Sequence, residues 1–155
     1  MRLLVDTNTL IDLVAGGGMA EALGRADKVL LPIPALGEFV AGLDSTRRGR
    51  AARAGLARFL AIPTVETVSL TTDTAECYGT VFRQLKKAGT PIPTNDIWIA
   101  ALALEHGAVL VSDDAHFQRV ANLRILPAQV DPPEKPDSFP LRSVPLDIPP
   151  DFDEV

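Results

Sequence analysis

Pro91 to Phe117 reads PIPTNDIWIAALALEHGAVLVSDDAHF, and this stretch decides the fold. After Pro93 and Thr94, the apolar residues Ile97, Ala100, Ala101 and Leu104 recur at helical spacing, which predicts a helix beginning near Thr94 or Asn95. Asp96 then falls in the first turn, where free backbone N–H groups and the helix dipole favour a negative charge. Gly107, following His106, supplies a stop, and Ala108 to Val111 is an apolar run too short for a second helix. Ser112, Asp113 and Asp114 leave that strand at its carboxyl end, the edge where open α/β sheets bind ligands. Two carboxylates far apart in the chain are thereby brought to one sheet edge.

The same alternation extends in both directions. Upstream, Leu3 to Val5 is a strand ending at Asp6-Thr7-Asn8, and Thr9 to Val14 has helical spacing stopped by the Gly16 to Gly18 run. A second helix is expected over Met19 to Arg25, then a strand over Val29 to Ile33. Pro34 suits the first position of a short helix, Ala35 to Leu43, with Glu38 one turn in. Ser45 or Thr46 can cap an arginine-rich helix that runs to about Ala61 and stops before Pro63. A third strand is expected over Val65 to Leu70, then a long helix capped by Thr71 or Thr72 and ending at Gly89. Downstream come a short helix, Ala115 to Arg119, and a last strand, Leu123 to Leu126. Apolar strands alternating with helices predict a three-layer α/β/α fold with a central, mostly parallel sheet.

The length of 155 residues suits one domain, large enough to bury roughly two thirds of the surface its unfolded chain exposes. Cys77, the single cysteine, has no internal disulfide partner. It falls in a helical pattern with Ala75, Tyr78, Phe82 and Leu85 and is expected to be a buried hydrophobe. The opening Met1-Arg2-Leu3-Leu4-Val5-Asp6 reads as neither signal peptide nor membrane span, so a cytoplasmic setting is expected.

A formal net charge of −5 argues at first against a nucleic-acid partner. The charge is unevenly spread. Residues 131–155 hold seven acidic and two basic residues and seven of the 13 prolines, leaving residues 1–130 neutral. This composition divides the chain into a folded body, 1–130, and a proline-rich acidic tail, 131–155. Within the body Arg47, Arg48, Arg50, Arg53 and Arg58 crowd one segment, readable as a phosphate-facing stripe or as a solvated helix face. Arg47, Arg48 and Arg50 are the candidate contacts to a substrate backbone.

Taken singly, each candidate acid has an ordinary structural role. Asp6 suits a helix N-cap, Glu38 a solvated helix position, Asp96 a dipole partner and Asp114 a turn. Taken together, Asp6, Asp96 and Asp114 converge on the carboxyl edge, and Glu38 can join them. Carboxylates so close must protonate or hold a cation, and oxygen ligands without histidine or thiolate select Mg²⁺ or Mn²⁺. An acidic pocket lacking its own nucleophile suits water-driven cleavage of a phosphodiester. A haloacid-dehalogenase phosphatase would want aspartate two residues after Asp6, where Asn8 stands. A receiver domain would want a phosphoacceptor aspartate after the third strand, where Val65 to Thr71 offers none. The glycine run lacks dinucleotide and Walker spacing.

Asp6-Thr7-Asn8, Glu38, Pro93 to Ile97 with Ala100-Ala101, and Ser112 to Phe117 together resemble the successive motifs of PIN-domain nucleases, and more narrowly VapC-type toxins of toxin-antitoxin pairs. The resemblance spans about Met1 to Leu126. It implies a metal-dependent endoribonuclease that forms a homodimer and is inhibited by a VapB-like antitoxin. By the family pattern Asp6, Glu38, Asp96 and Asp114 form the acidic quartet, and Ser112 helps hold water or metal. Asp114 is preferred to Asp113 by its distance to Phe117. A housekeeping RNA-processing nuclease and a non-catalytic binding module of the same fold are the alternatives; loss of an acidic position would mark the latter, and all four are kept. His116 is expected to be a surface or supporting group, and Trp98 part of the core or of a dimer surface.

Overall fold

Five apolar runs pair into one sheet: β1 (Arg2–Val5), β2 (Lys28–Pro32), β3 (Val65–Val68), β4 (Val109–Val111) and β5 (Ile125–Leu126). All pairings are parallel, in the order β3-β2-β1-β4-β5. Leu3, Leu4 and Val5 are consecutive and wholly buried, as a strand must be when helices cover both faces. The computed structural model describes residues 1–17 and 23–128. Of the helix expected over Met19 to Arg25, the part before Leu23 lies outside the described residues, as does the tail, 131–155.

The helices are α1 (Thr7–Val14), α2 (Ile33–Ala41), α3 (Arg47–Leu60), α4 (Thr72–Ala88) and α5 (Thr94–Glu105), with a 3-10 turn at Ala115–Arg119. From β1 the sheet grows outward to β2 and β3, then the chain returns past β1 to β4. Right-handed crossovers therefore put α1 and α3 on one face and α4 and α5 on the other. Gly55 of α3 lets the first two approach closely: a Cβ there would lie 2.8 Å from Val14 Cγ1. On the opposite face α4 and α5 pack along each other, and Thr71 and Thr74 donate hydroxyl hydrogen bonds to Glu105 at the end of α5.

Local chemistry sets the boundaries. Thr46 caps α3 by accepting from Gly49 N, and Thr71 with Thr74 forms a reciprocal capping box on α4. Gly89 and Gly107 end α4 and α5 at φ of 68° and 58°, a region in which a side chain is strained. Helix α1 starts two residues earlier than its apolar spacing predicts, because the Asp6 carboxylate accepts from Thr9 N and caps it. Strand β3 is shorter than expected, ending at Val68.

Burial on α4 also departs from the sequence expectation. The residues it buries are Thr74, Val81 and Leu85, so the stripe is rotated from the Ala75-Tyr78-Phe82 reading. Thr74 can enter the interior because its hydroxyl reaches Glu105. Phe82 is consequently 46% exposed, and Cys77 is half-buried rather than a core residue.

The sheet's carboxyl edge is the functional landmark. Glu38 lies more than a turn into α2 yet still reaches Thr7 and Asn95 at this edge, so α2 runs along it. Helix α3 then carries the chain back to the amino end of β3, which leaves its arginine-rich start on the carboxyl-edge side.

Candidate functional site

Asp96, Asp114 and His116 each bring a possible ligand atom within 4.8 Å of the others. Asp96 enters from the first turn of α5 and Asp114 from the residue that caps the 3-10 turn, where its Oδ1 accepts from His116 N at 2.8 Å. The imidazole lies between the two acids, Nδ1 being 3.1 Å from Asp96 Oδ2 and 3.3 Å from Asp114 Oδ1. With a proton on Nδ1 the ring donates to the carboxylates; without it, the same nitrogen can face a cation.

Asp6 stands one hydrogen bond away. Its side chain is buried, Oδ1 accepting from Thr9 N at 2.8 Å and Oδ2 from the Ser112 hydroxyl. That hydroxyl oxygen also accepts from Asp114 N at 3.0 Å, so Ser112 couples Asp6 to the backbone that carries Asp114. Thr9 Oγ1 ties α1 to the end of β4 by donating to Val111 O at 2.9 Å. Glu38 completes the rim: it accepts from the Thr7 hydroxyl and, at 2.8 Å, from Asn95 Nδ2.

The electrostatics follow from this crowding. Burial pushes the Asp96 carboxyl above its ordinary 3.8, the hydrogen bond from His116 works against that, and the charges of Asp114 and Glu38 push it further up. A divalent cation would relieve this cost. The two carboxylates are fitting oxygen donors for a hard divalent ion, with the imidazole beside them. His116, expected to be a surface or supporting group, lies in hydrogen-bonding distance of Asp96 and beside Asp114.

The structure thus gathers Asp96 and Asp114 directly, links Asp6 to them through Ser112, and sets Glu38 beside Asn95 on the same rim. Asp113, the other half of the doublet, points away and accepts from Ala128 N at 2.9 Å. Arg47, Arg48 and Arg50 are exposed on α3, outside this group. Thr7, Asn95 and His116 are the members that sequence reading left without a place in the site. Each adjoins an acid in its motif, and that adjacency was the available signal. A separate apolar hollow of about 370 Å³, lined by Phe82, Leu85, Ile92 and Ile97, lies between α4 and α5 and holds no part of the acidic group.

Such an arrangement, a parallel α/β sheet with acids from two strand ends and two helices gathered at its carboxyl edge, defines an α/β domain with an acidic site suited to a cation. The model of the PIN domain matches residues 3–123, and the chain belongs to that family. Ribonuclease VapC1 of Haemophilus influenzae (strain R2866) is 46% identical over 48 residues, a match spanning 30% of this chain and 36% of that relative. Among solved structures, DNA-bound VapBC from Salmonella typhimurium superposes with a TM-score of 0.73 at 23% identity, covering 83% of this chain and 99% of that one. VapBC2 from Rickettsia felis, bound to a promoter DNA fragment, gives 0.72 at 22% identity over 82% of this chain and 98% of that one. These two likenesses establish the fold. No helix among the described residues is long and apolar enough to cross a membrane.

Proposed function

We propose that this chain is a metal-dependent endoribonuclease that hydrolyses RNA phosphodiester bonds and acts as the toxin of a toxin-antitoxin pair. The observation that carries the reading is the Asp96-Asp114-His116 group at the mouth of the sheet. Asp96 and Asp114 hold Mg²⁺ or Mn²⁺, with Asp6 and Glu38 completing the acidic quartet. The bound ion supplies a water of lowered pKa and neutralises charge on the phosphate. Ser112 positions Asp6 and Asp114 relative to each other, and Asn95 with Thr7 restrains Glu38. Arg47, Arg48 and Arg50 contact the RNA backbone, an electrostatic role that carries no base preference.

The partners follow from the same reading. A VapB-like antitoxin inhibits the enzyme, and the protein is cytoplasmic. Two copies form a homodimer through the aromatic face of α4 and α5, where Tyr78 packs tilted on Trp98 with ring centroids 4.1 Å apart and stacks beside the exposed Phe82. The nuclease body is 1–130 and the acidic tail 131–155. The test is cleavage of RNA by purified protein in Mg²⁺, Mn²⁺ or EDTA, beside Asp96→Asn. Cleavage only by the unaltered chain with metal is expected; equal cleavage by both proteins would reject the site.

A further inference from the structure

Helix α3 places its charge against its own dipole. Arg47, Arg48 and Arg50 occupy its first four positions, its first turn holds no acid, and no acidic residue occurs anywhere along it. Cations at a helix N-terminus are disfavoured by the helix dipole. Arg47, Arg50 and Arg58 share the outward side of the helix with Ala51, Ala54 and Ala57, opposite the buried Gly49, Leu56 and Phe59. In the preceding turn Arg50 Nη1 donates to Ser45 O at 2.5 Å, and Thr46 donates to Asp44 through both hydroxyl and backbone N–H.

Exposed apolar side chains also occur on this side of the sheet. Seven large apolar side chains are exposed among the described residues, and four of them, Ile11, Ile33, Val40 and Leu60, lie on α1, α2 and α3. Helix α1 touches both α2 and α3. A matching occupant must be acidic and can carry scattered apolar residues.

The chain's own tail has that composition. Residues 131–155 carry a net charge of −5, with Phe139, Leu141, Val144, Leu146, Ile148 and Phe152 interspersed among acids and prolines. The described chain ends on the correct side of the molecule. Strand β5 runs toward the carboxyl edge, and Ala128 beyond it is held by Asp113, the neighbour of Asp114. From β5 to β3 is four strand spacings, about 19 Å, and a proline-rich chain advances about 3.1 Å per residue. Roughly seven residues cover that distance, so the segment beyond about Asp137 has ample reach.

We propose that the tail, Asp131 to Val155, docks on the arginine-rich start of α3, where it competes with RNA. The competition rests on the ribonuclease reading, whereas the docking does not. Helix α3 amide exchange is to be compared between the full chain and the full chain bearing Asp147→Asn, Asp151→Asn, Asp153→Asn and Glu154→Gln. We expect α3 to be better protected in the unaltered chain, with the difference lost at high salt as the Debye length falls to about 3 Å. In EDTA, where the metal is withheld, affinity for a short single-stranded RNA should rise roughly tenfold in the neutralised variant. Equal α3 exchange in the two proteins overturns the docking. Altered exchange with equal RNA affinity overturns the competition, and protection that disappears on dilution assigns the stripe to a second copy's tail instead. Because the exchange measurement contains no RNA, a failed docking is distinguishable from a failed ribonuclease assignment.

Discussion

Replacing Asp96 by asparagine should stabilise the metal-free protein while abolishing cleavage. Asp96 and Asp114 bring carboxylate oxygens within 4.8 Å of each other. Two unit charges at that distance repel by about 1 kcal/mol in water and about 3.5 kcal/mol at an effective dielectric of 20. The two side chains are 17% and 29% exposed, so a value of about 1–3 kcal/mol is appropriate. The asparagine carbonyl still accepts from His116, so the variant removes the cost of burying the charge together with this repulsion. For a domain of this size that corresponds to a Tm higher by about 2–10 °C, measured by calorimetry in EDTA at neutral pH. The pH dependence has a definite sign. Asp96 binds its proton more tightly folded than unfolded, so the charged form costs stability above the folded pKa. The advantage of the variant should shrink as pH falls through that value and vanish below the ordinary 3.8. Added Mg²⁺ or Mn²⁺ should raise the Tm of the unaltered protein and much less that of the variant. A variant no more stable than the parent in EDTA, or an equal metal-induced rise in both, would refute the reasoning.

Three further outcomes follow. Ser112→Ala removes the hydroxyl from the buried Asp6 carboxylate and from Asp114 N, and should cost about 1.5–3 kcal/mol of stability as well as cleavage activity; a melting shift under about 1 °C would show that the bond is dispensable. Gly55→Val drives a Cβ to 2.8 Å from Val14 Cγ1 and should cost about 1–3 kcal/mol by denaturant titration, with Val14→Ala restoring part of it; additive losses in the double variant would contradict direct packing. Arg47→Ala with Arg48→Ala and Arg50→Ala should lower the slope of log affinity for single-stranded RNA against log salt by about 2, at about 0.7 per phosphate contact. An unchanged slope would remove these arginines from the RNA surface.

Much of the architecture was legible because consecutive apolar runs, caps and stops all agree. Thr46, Thr71, Gly89 and Gly107 mark helix ends by chemistry that requires no tertiary partner. The illegible parts depend on such partners. Thr74 reads as polar and outward until Glu105, remote in sequence, supplies an acceptor; Phe82 reads as core until that exchange rotates the buried stripe. At the site, the acids were visible as residues at strand ends. The place of His116 depends instead on the 3-10 geometry after Asp114, which folds its ring back between two carboxylates, and periodicity carries no trace of that.

The four acids differ in what holds them, and the difference has a physical origin. Asp6 and Asp114 are cap residues, so backbone N–H groups of Thr9 and His116 fix their rotamers. Asp96 lies in a first turn, where the dipole favours its charge but crowding with Asp114 raises its cost. Glu38 has neither advantage, being inside α2, and only the side chains of Thr7 and Asn95 orient it. Two carboxylates are therefore set by backbone groups that terminate the local elements, and the third, Asp96, by its place in a first turn and its contact with His116. The fourth depends on two side chains from different helices, α1 and α5, meeting across the edge. Any loosening between those helices reaches Glu38 first, before the Asp96-Asp114-His116 group feels it.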